Sequence, residues 1–329
     1  MLNRRTLCAG MLAIVALTSA CVRSVKVPRQ LAVDPPATTA QLLGRLKLFT
    51  DVSRIQAVAT LRFRDLRDAG IGRNKEYPGA DGTLVLSRPA NIRLLIKAPF
   101  VGKRVADMVS DGTKFTVKVL YPEDKRKYLI GTNAGRYRRV ESGMQTADPA
   151  LQRAGALANI RPQHLTAAFL MAPLDLETAD GVYVLDEERR LEPGLKKDEQ
   201  VIRTFYVLTL LERTGNGAEA HVVRRLWFDR CKTGTPLARQ DLYEDGRVAT
   251  TIRYEGTIRS EDGRPWVDRV AIERVDDLYA VDVLFAEGAL TLDGEVPDEA
   301  FTLGNDENLE VIDLDKRADL LEPAAATRP

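Results

Sequence analysis

Residues 83–119 read TLVLSRPANIRLLIKAPFVGKRVADMVSDGTKFTVKV, and their pattern decides the fold. The runs Thr83 to Leu86, Ile92 to Lys97, Val105 to Val109 and Phe115 to Val119 carry apolar residues in strand-like alternation. A period of two marks a strand with one face buried. Arg88-Pro89 and Asp111-Gly112 supply turn chemistry between the runs, so short hairpins join successive strands. The stretch predicts an antiparallel meander.

The pattern extends both ways. Upstream, Val58, Thr60 and Arg62 alternate with Ala59, Leu61 and Phe63, and before them Leu42, Leu43, Leu46, Phe49, Val52 and Ile55 recur at helical spacing. Thr38 or Thr39 can cap that helix, which lays one apolar stripe on the sheet. Downstream, residues 148–172 break the rhythm. Leu151, Ala154, Leu157 and Ile160 form one short helical pattern, and Pro162 opens a second with Leu165, Phe169 and Leu170 behind it. Strands resume at Gly181 to Leu185, Ile202 to Leu211, Val222 to Phe228, Pro236 to Tyr243, Val248 to Tyr254, Trp266 to Arg274 and Tyr279 to Phe285. A sheet of so many strands curls rather than staying flat. The expectation is a mainly β, α+β chain: a strongly curved antiparallel sheet forming an open half-barrel, with a helical lid over an apolar cavity.

The start of the chain bears on location. Arg4 and Arg5 precede the apolar run Leu7 to Leu17, and Thr18-Ser19-Ala20 supply small residues before Cys21. This is the layout of an export signal, too short to persist as a membrane-spanning helix. Thr18-Ser19-Ala20-Cys21 resembles the lipobox of bacterial lipoproteins, with the usual Leu one step early at Leu17. Cys21 is then the lipid anchor. A plain secretory signal cut after Ala20 is the alternative. The chain divides into a signal at 1–20, a flexible tether at 21–37 with Pro28, Pro35 and Pro36, a folded domain at 38–304, and an acidic, mobile tail at 305–329.

Composition excludes several function classes. With 48 Lys+Arg against 47 Asp+Glu the formal net charge is +1, so no field gathers nucleic acid and no such partner is expected. Histidine is the commonest general base near neutral pH, and only His164 and His221 are present. The phosphate-loop, zinc-protease, Cys-x-x-Cys and Gly-x-Ser-x-Gly motifs are absent. No cofactor and no metal are expected, and the chain is not read as an enzyme. Glu244-Asp245 and Asp276-Asp277 sit beside turns, where Asp serves backbone geometry. Cys8 leaves with the signal, so Cys231 has no disulfide partner in the mature chain.

The order of elements resembles the LolA/LolB superfamily of bacterial envelope lipoprotein carriers and receptors. The likeness is strongest in Arg88 to Gly131, through Pro89-Ala90-Asn91-Ile92-Arg93, Ser110-Asp111-Gly112-Thr113-Lys114 and Phe115 to Pro122. Ala57 to Leu61, Trp227-Phe228-Asp229 and Val296 to Phe301 add to it. The resemblance implies that Pro99-Phe100-Val101-Gly102 is a hairpin tip, with Phe100 or Val101 engaging membrane or cargo. It also implies a lipid-anchored protein of the bacterial envelope, at the outer membrane facing the periplasm. Its partners would be the membrane, reached through the N-terminal lipid, the acyl chains of lipid or lipoprotein cargo, and an envelope protein. The candidate cavity and lid residues are Leu84, Leu94, Ile96, Val117, Val119, Leu165, Phe169, Leu208 and Leu226. The alternative is a non-catalytic scaffolding lipoprotein with a packed interior.

Overall fold

The computed structural model describes residues 27–66, 75–76, 79–97, 103–121, 123–135, 161–174, 181–197, 199–213 and 219–316. The first half contains β1 (Arg29–Gln30), α1 (Thr39–Thr50), β2 (Arg54–Asp65), β3 (Lys75–Glu76), β4 (Ala80–Ser87), β5 (Asn91–Lys97), β6 (Arg104–Ser110), β7 (Lys114–Val119) and β8 (Lys127–Thr132). Then come α2 (Pro162–Phe169), β9 (Gly181–Pro193), β10 (Gln200–Arg213), β11 (Ala220–Asp229), β12 (Leu237–Glu244) and β13 (Arg247–Glu255). The last strands are β14 (Ile258–Arg259), β15 (Pro265–Trp266), β16 (Arg269–Arg274), β17 (Tyr279–Leu292) and β18 (Val311–Asp313).

Sixteen of these strands form one open sheet, along the path β1-β10-β11-β12-β13-β16-β17-β2-β4-β5-β6-β7-β8-β18. β3 is attached to β2 and β9 to β10, while β14 and β15 pair separately. The late strand β17 lies beside the early strand β2, with Val281 opposite Phe63 and Val283 opposite Leu61. The two halves of the chain are thereby joined side by side. The hairpins from β4 to β8 follow the expected meander. At the Asp111-Gly112 turn Gly112 has φ +91, and a Cβ there would stand 2.6 Å from the Ala90 Cβ, so glycine is required.

Helix α1 starts as its sequence dictates. The Thr38 hydroxyl accepts from the Gln41 N–H at 3.3 Å, and Gln41 Oε1 accepts from the Thr38 N–H at 2.8 Å, a reciprocal cap. Leu42, Leu46 and Phe49 are its buried residues, on one face at spacings of four and three. At its far end Arg88 donates to the carbonyls of Phe49 at 2.8 Å and Thr50 at 3.0 Å. It also donates to Val52 at 2.8 Å and Met171 at 3.0 Å. One guanidinium thus satisfies orphan carbonyls of α1 and pins the segment that follows α2.

Alternate strand positions with α1 and α2 build one core cluster, which runs from Val117 and Leu129 to Leu208 and Leu226. A small second cluster of Phe205, Val207 and Trp227 lies apart from it. Trp227 is covered by the guanidiniums of Arg190, Arg225 and Arg239, at 5.2, 5.8 and 4.6 Å from its ring centroid.

Several expectations are corrected. The sheet is mixed, because β1 runs parallel to β10 and β18 parallel to β8. The segment expected as tether is bound to the fold from Arg29 on. β11 ends at Asp229, opposite Phe205, which leaves the edge at Val201 and Ile202 open for β1. Beyond it the Gly234 N–H donates to Asp34 Oδ2 at 2.7 Å and the Ala37 N–H to the Tyr206 hydroxyl at 3.2 Å. The acidic segment expected as a mobile tail is likewise ordered through Lys316. It places Val311–Asp313 on the free edge of β8 and buries Leu314, with Lys127–Glu310 and Arg126–Glu307 ion pairs flanking the join. The first insertion helix, around Leu151 to Ile160, falls outside the described residues, as do Cys21, Phe100 and Val101.

Candidate functional site

All nine residues nominated for the cavity and lid belong to the one core cluster, and none is more than 8% exposed. Period-two alternation brings Leu84, Leu94, Ile96, Val117, Val119, Leu208 and Leu226 to one face of the sheet, and Leu165 and Phe169 meet them from α2. Among these residues the interior is filled by side chains.

Helix α2 forms because Pro162 at its first turn needs no N–H partner, while Leu165, Ala168 and Phe169 recur on one buried face. With eight residues it is too short to persist without packing. The Phe169 ring meets Phe285 edge-on at 5.6 Å. Polar groups from the sheet fasten the helix end, where carbonyls lack helical partners. The Tyr254 hydroxyl donates to the Ala168 carbonyl at 3.0 Å, and Gln240 Nε2 lies 3.5 Å from the Ala167 carbonyl and 3.3 Å from the Tyr254 hydroxyl. Burial pushes the Tyr254 phenol well above its ordinary pKa, so it stays protonated and remains a donor.

At the start of α2 opens a polar cleft of about 520 Å³, walled by Asn133 to Gly135, by Arg161, Gln163 and His164, and by the turns around Asp245 and Asp276. Arg274 is its electrostatic centre. It donates to Glu244 at 2.8 Å, Asp277 at 2.7 Å and Thr250 at 2.7 Å. Burial works against its charge, but Glu244 and Asp277 outweigh that and hold its pKa up. The two carboxylate pairs read as turn residues therefore each send one member to this arginine. His164 Nδ1 lies 2.6 Å from the Tyr279 hydroxyl. Desolvation, with help from Arg274, lowers the His164 pKa to about 3, so the ring is neutral at ordinary pH. An imidazole with so low a pKa is a poor proton acceptor near neutral pH, and the Arg274 guanidinium is already matched by Glu244 and Asp277.

A third feature escaped the sequence reading. Arg224, Gln240, Thr250, Tyr254 and Arg274 interrupt the apolar face in the second half of the sheet. Arg224 is in phase with Leu226 on β11, and Gln240 faces Leu226 and Ile252 across the ladder. The signal was present as charged or polar residues at core parity. Arg88 was also missed, because its partners lie 36 to 83 residues away.

No protein-family model matches the chain, and no curated protein matches it. Solved structures similar to it include a LolA superfamily protein from Nitrosomonas europaea, at 14% identity and TM-score 0.40, over 82% of this chain and 99% of that one. A DUF1329 family protein from Desulfovibrio piger is 13% identical with TM-score 0.42, over 79% and 94%. An outer membrane lipoprotein-sorting domain from Vibrio parahaemolyticus is 9% identical with TM-score 0.40, over 80% and 95%.

Proposed function

We propose that this chain is an envelope lipoprotein, anchored through a lipid on Cys21, that takes up acyl chains of lipids or lipoproteins between its inner sheet face and α2. The observation that carries the reading is the position of α2. The helix touches β16 as well as β5 and β6, although β17, β2 and β4 lie between them in the sheet. At about 4.8 Å per strand, the five steps from β16 to β6 span about 24 Å in a flat sheet. Eight helical residues span only about 12 Å. That mismatch favours a sheet curled around a short helix, with the apolar layer beneath it. Displacing α2 opens that layer, and each methylene sequestered there gains about 0.8 kcal/mol. Phe100 and Val101, in the stretch of sequence that joins β5 to β6, would meet the membrane or the cargo.

The filled interior favours a second reading, a scaffolding lipoprotein that binds partners and holds no lipid. Native mass spectrometry of the Cys21→Ser chain, purified from a bacterial envelope, separates the two. A co-purifying phospholipid or acylated species is the expected result. A clean apo mass that also refuses added fluorescent fatty acid overturns the acyl-binding reading and leaves the scaffold.

A further inference from the structure

Arg224 is a partly buried cation without an anion among the described residues. It shares a face with Leu226 and has Leu210 and Leu242 directly opposite on the two flanking strands. The next residue, Arg225, points the other way, stacking on Trp227 and Tyr243 and donating to Thr209 at 3.2 Å. Arginines on these same strands and their neighbours are matched: Arg203 with Glu192 and Asp229, Arg239 with Asp241, Arg253 with Glu273, Arg274 with Glu244 and Asp277. Arg224 makes no ion pair among the described residues, and its Nη1 is buried with no hydrogen-bond partner. Burial lowers its pKa, and only the Tyr254 phenol offsets that. One pleat away on the adjacent strand, Gln240 Oε1 is also buried and unpartnered.

A guanidinium nitrogen taken out of water without a partner is unfavourable, so the unpartnered Nη1 of Arg224 marks a place where an anionic group is to arrive. The surroundings say what kind. Leu185, Leu210 and Leu242 are half-buried and packed against the core, which suits a hydrocarbon tail beside an acidic head. We propose that Arg224, with Gln240 beside it, seats the acidic headgroup of an acyl-chain ligand, a carboxylate or a phosphate, whose tail lies along Leu185, Leu210 and Leu242. This rests on the acyl-binding reading and adds to it a charge requirement that burial of hydrocarbon alone does not impose.

The test uses the Cys21→Ser chain, its Arg224→Met and Arg224→Lys variants, and four probes: palmitate, lysophosphatidate, hexadecanol and inorganic phosphate, each titrated calorimetrically. The wild-type arginine is expected to bind palmitate or lysophosphatidate at least tenfold more tightly than hexadecanol, and the preferred probe tells carboxylate from phosphate. Arg224→Met removes that preference and keeps or raises the melting temperature. Arg224→Lys restores part of the preference. Equal binding of acidic and neutral probes, or a preference that survives Arg224→Met, overturns the headgroup seat while leaving acyl binding standing. Binding of inorganic phosphate alone makes Arg224 a small-anion site and overturns the lipid source. Failure of all four probes with the wild-type arginine removes the acyl-binding reading itself.

Discussion

The two halves of the sheet share one core and treat its inner face differently. On β2, β4, β5 and β7 the buried alternation is Ile55, Ala57, Ala59, Leu61 and Phe63, with Asp65 at its end, then Ala80, Leu84 and Leu86, then Ile92, Leu94 and Ile96, then Phe115, Val117 and Val119. On β11, β12, β13 and β16 the same face holds Arg224 and Leu226, Gln240 and Leu242, Thr250, Ile252 and Tyr254, then Val270, Ile272 and Arg274. Buried polar groups are costly unless matched, so the second half keeps them at a cost in stability that a purely structural sheet would avoid. The difference teaches that the inner face is almost wholly apolar in the first half and carries its polar groups mainly in the second, with α2 reaching both.

The largest break of that comparison comes from the first half. Leu94 is 1% exposed and faces Leu84 and Met108 across the ladder. Leu94→Ala should destabilise the chain by about 4 kcal/mol, through lost transfer energy and an unfilled cavity. Urea unfolding measures it. A loss below about 1 kcal/mol would mean that the first half is already loose and that the contrast fails.

Next is the pH response of the second half. His164 has a folded pKa of about 3, against about 6.5 in an unfolded chain. The unfolded state therefore takes up the proton first. The contribution is intact above about pH 6.5 and drains as pH falls toward 3, reaching on the order of 3 kcal/mol at pH 4. Carboxylates also titrate in that range, so the measurement is the difference in unfolding free energy between the native chain and His164→Gln at pH 7 and pH 4. The acid loss should be smaller in the variant. Identical slopes would show that His164 is accessible to protons in the fold.

Arg88→Met tests the link between the halves. It leaves the end carbonyls of α1 and the Met171 carbonyl without their donor, an expected loss of about 2 kcal/mol. Hydrogen exchange should rise at the end of α1 and at Met171 together; a rise at α1 alone would show that the contact to Met171 carries no energy.

How far the sequence reached follows from the range of each interaction. Period-two alternation is local, and so the strands from Thr83 to Val119 and the second-half strands were legible. β1 and β18 were not, because two or three residues lying parallel to a distant edge carry no local pattern. β9 was read only as far as Leu185. Its continuation through Asp186, Glu187, Glu188, Arg189 and Arg190 is an edge strand facing solvent, where charge replaces apolar alternation. In the site, parity found the apolar lining but was applied only to apolar residues. The same count places Arg224 with Leu226 and Arg274 with Ile272. The pairing of Glu244 and Asp277 on one arginine needed β12, β13 and β16 to be neighbours, which only the fold supplies.

The smallest change is also the one that speaks to mechanism. Tyr254→Phe keeps the ring against Phe49, 4.6 Å between centroids, and removes only the hydroxyl that caps the Ala168 carbonyl and lies beside Gln240. The expected cost is about 1 kcal/mol, the net worth of one such hydrogen bond. If α2 is a lid, that cost falls on the closed form more than on the fold. Uptake of a fluorescent fatty acid should then speed up several-fold in stopped flow while the urea midpoint scarcely moves. If α2 is a fixed part of a packed core, the midpoint drops and the uptake rate does not change, because the hydroxyl then stabilises folding alone.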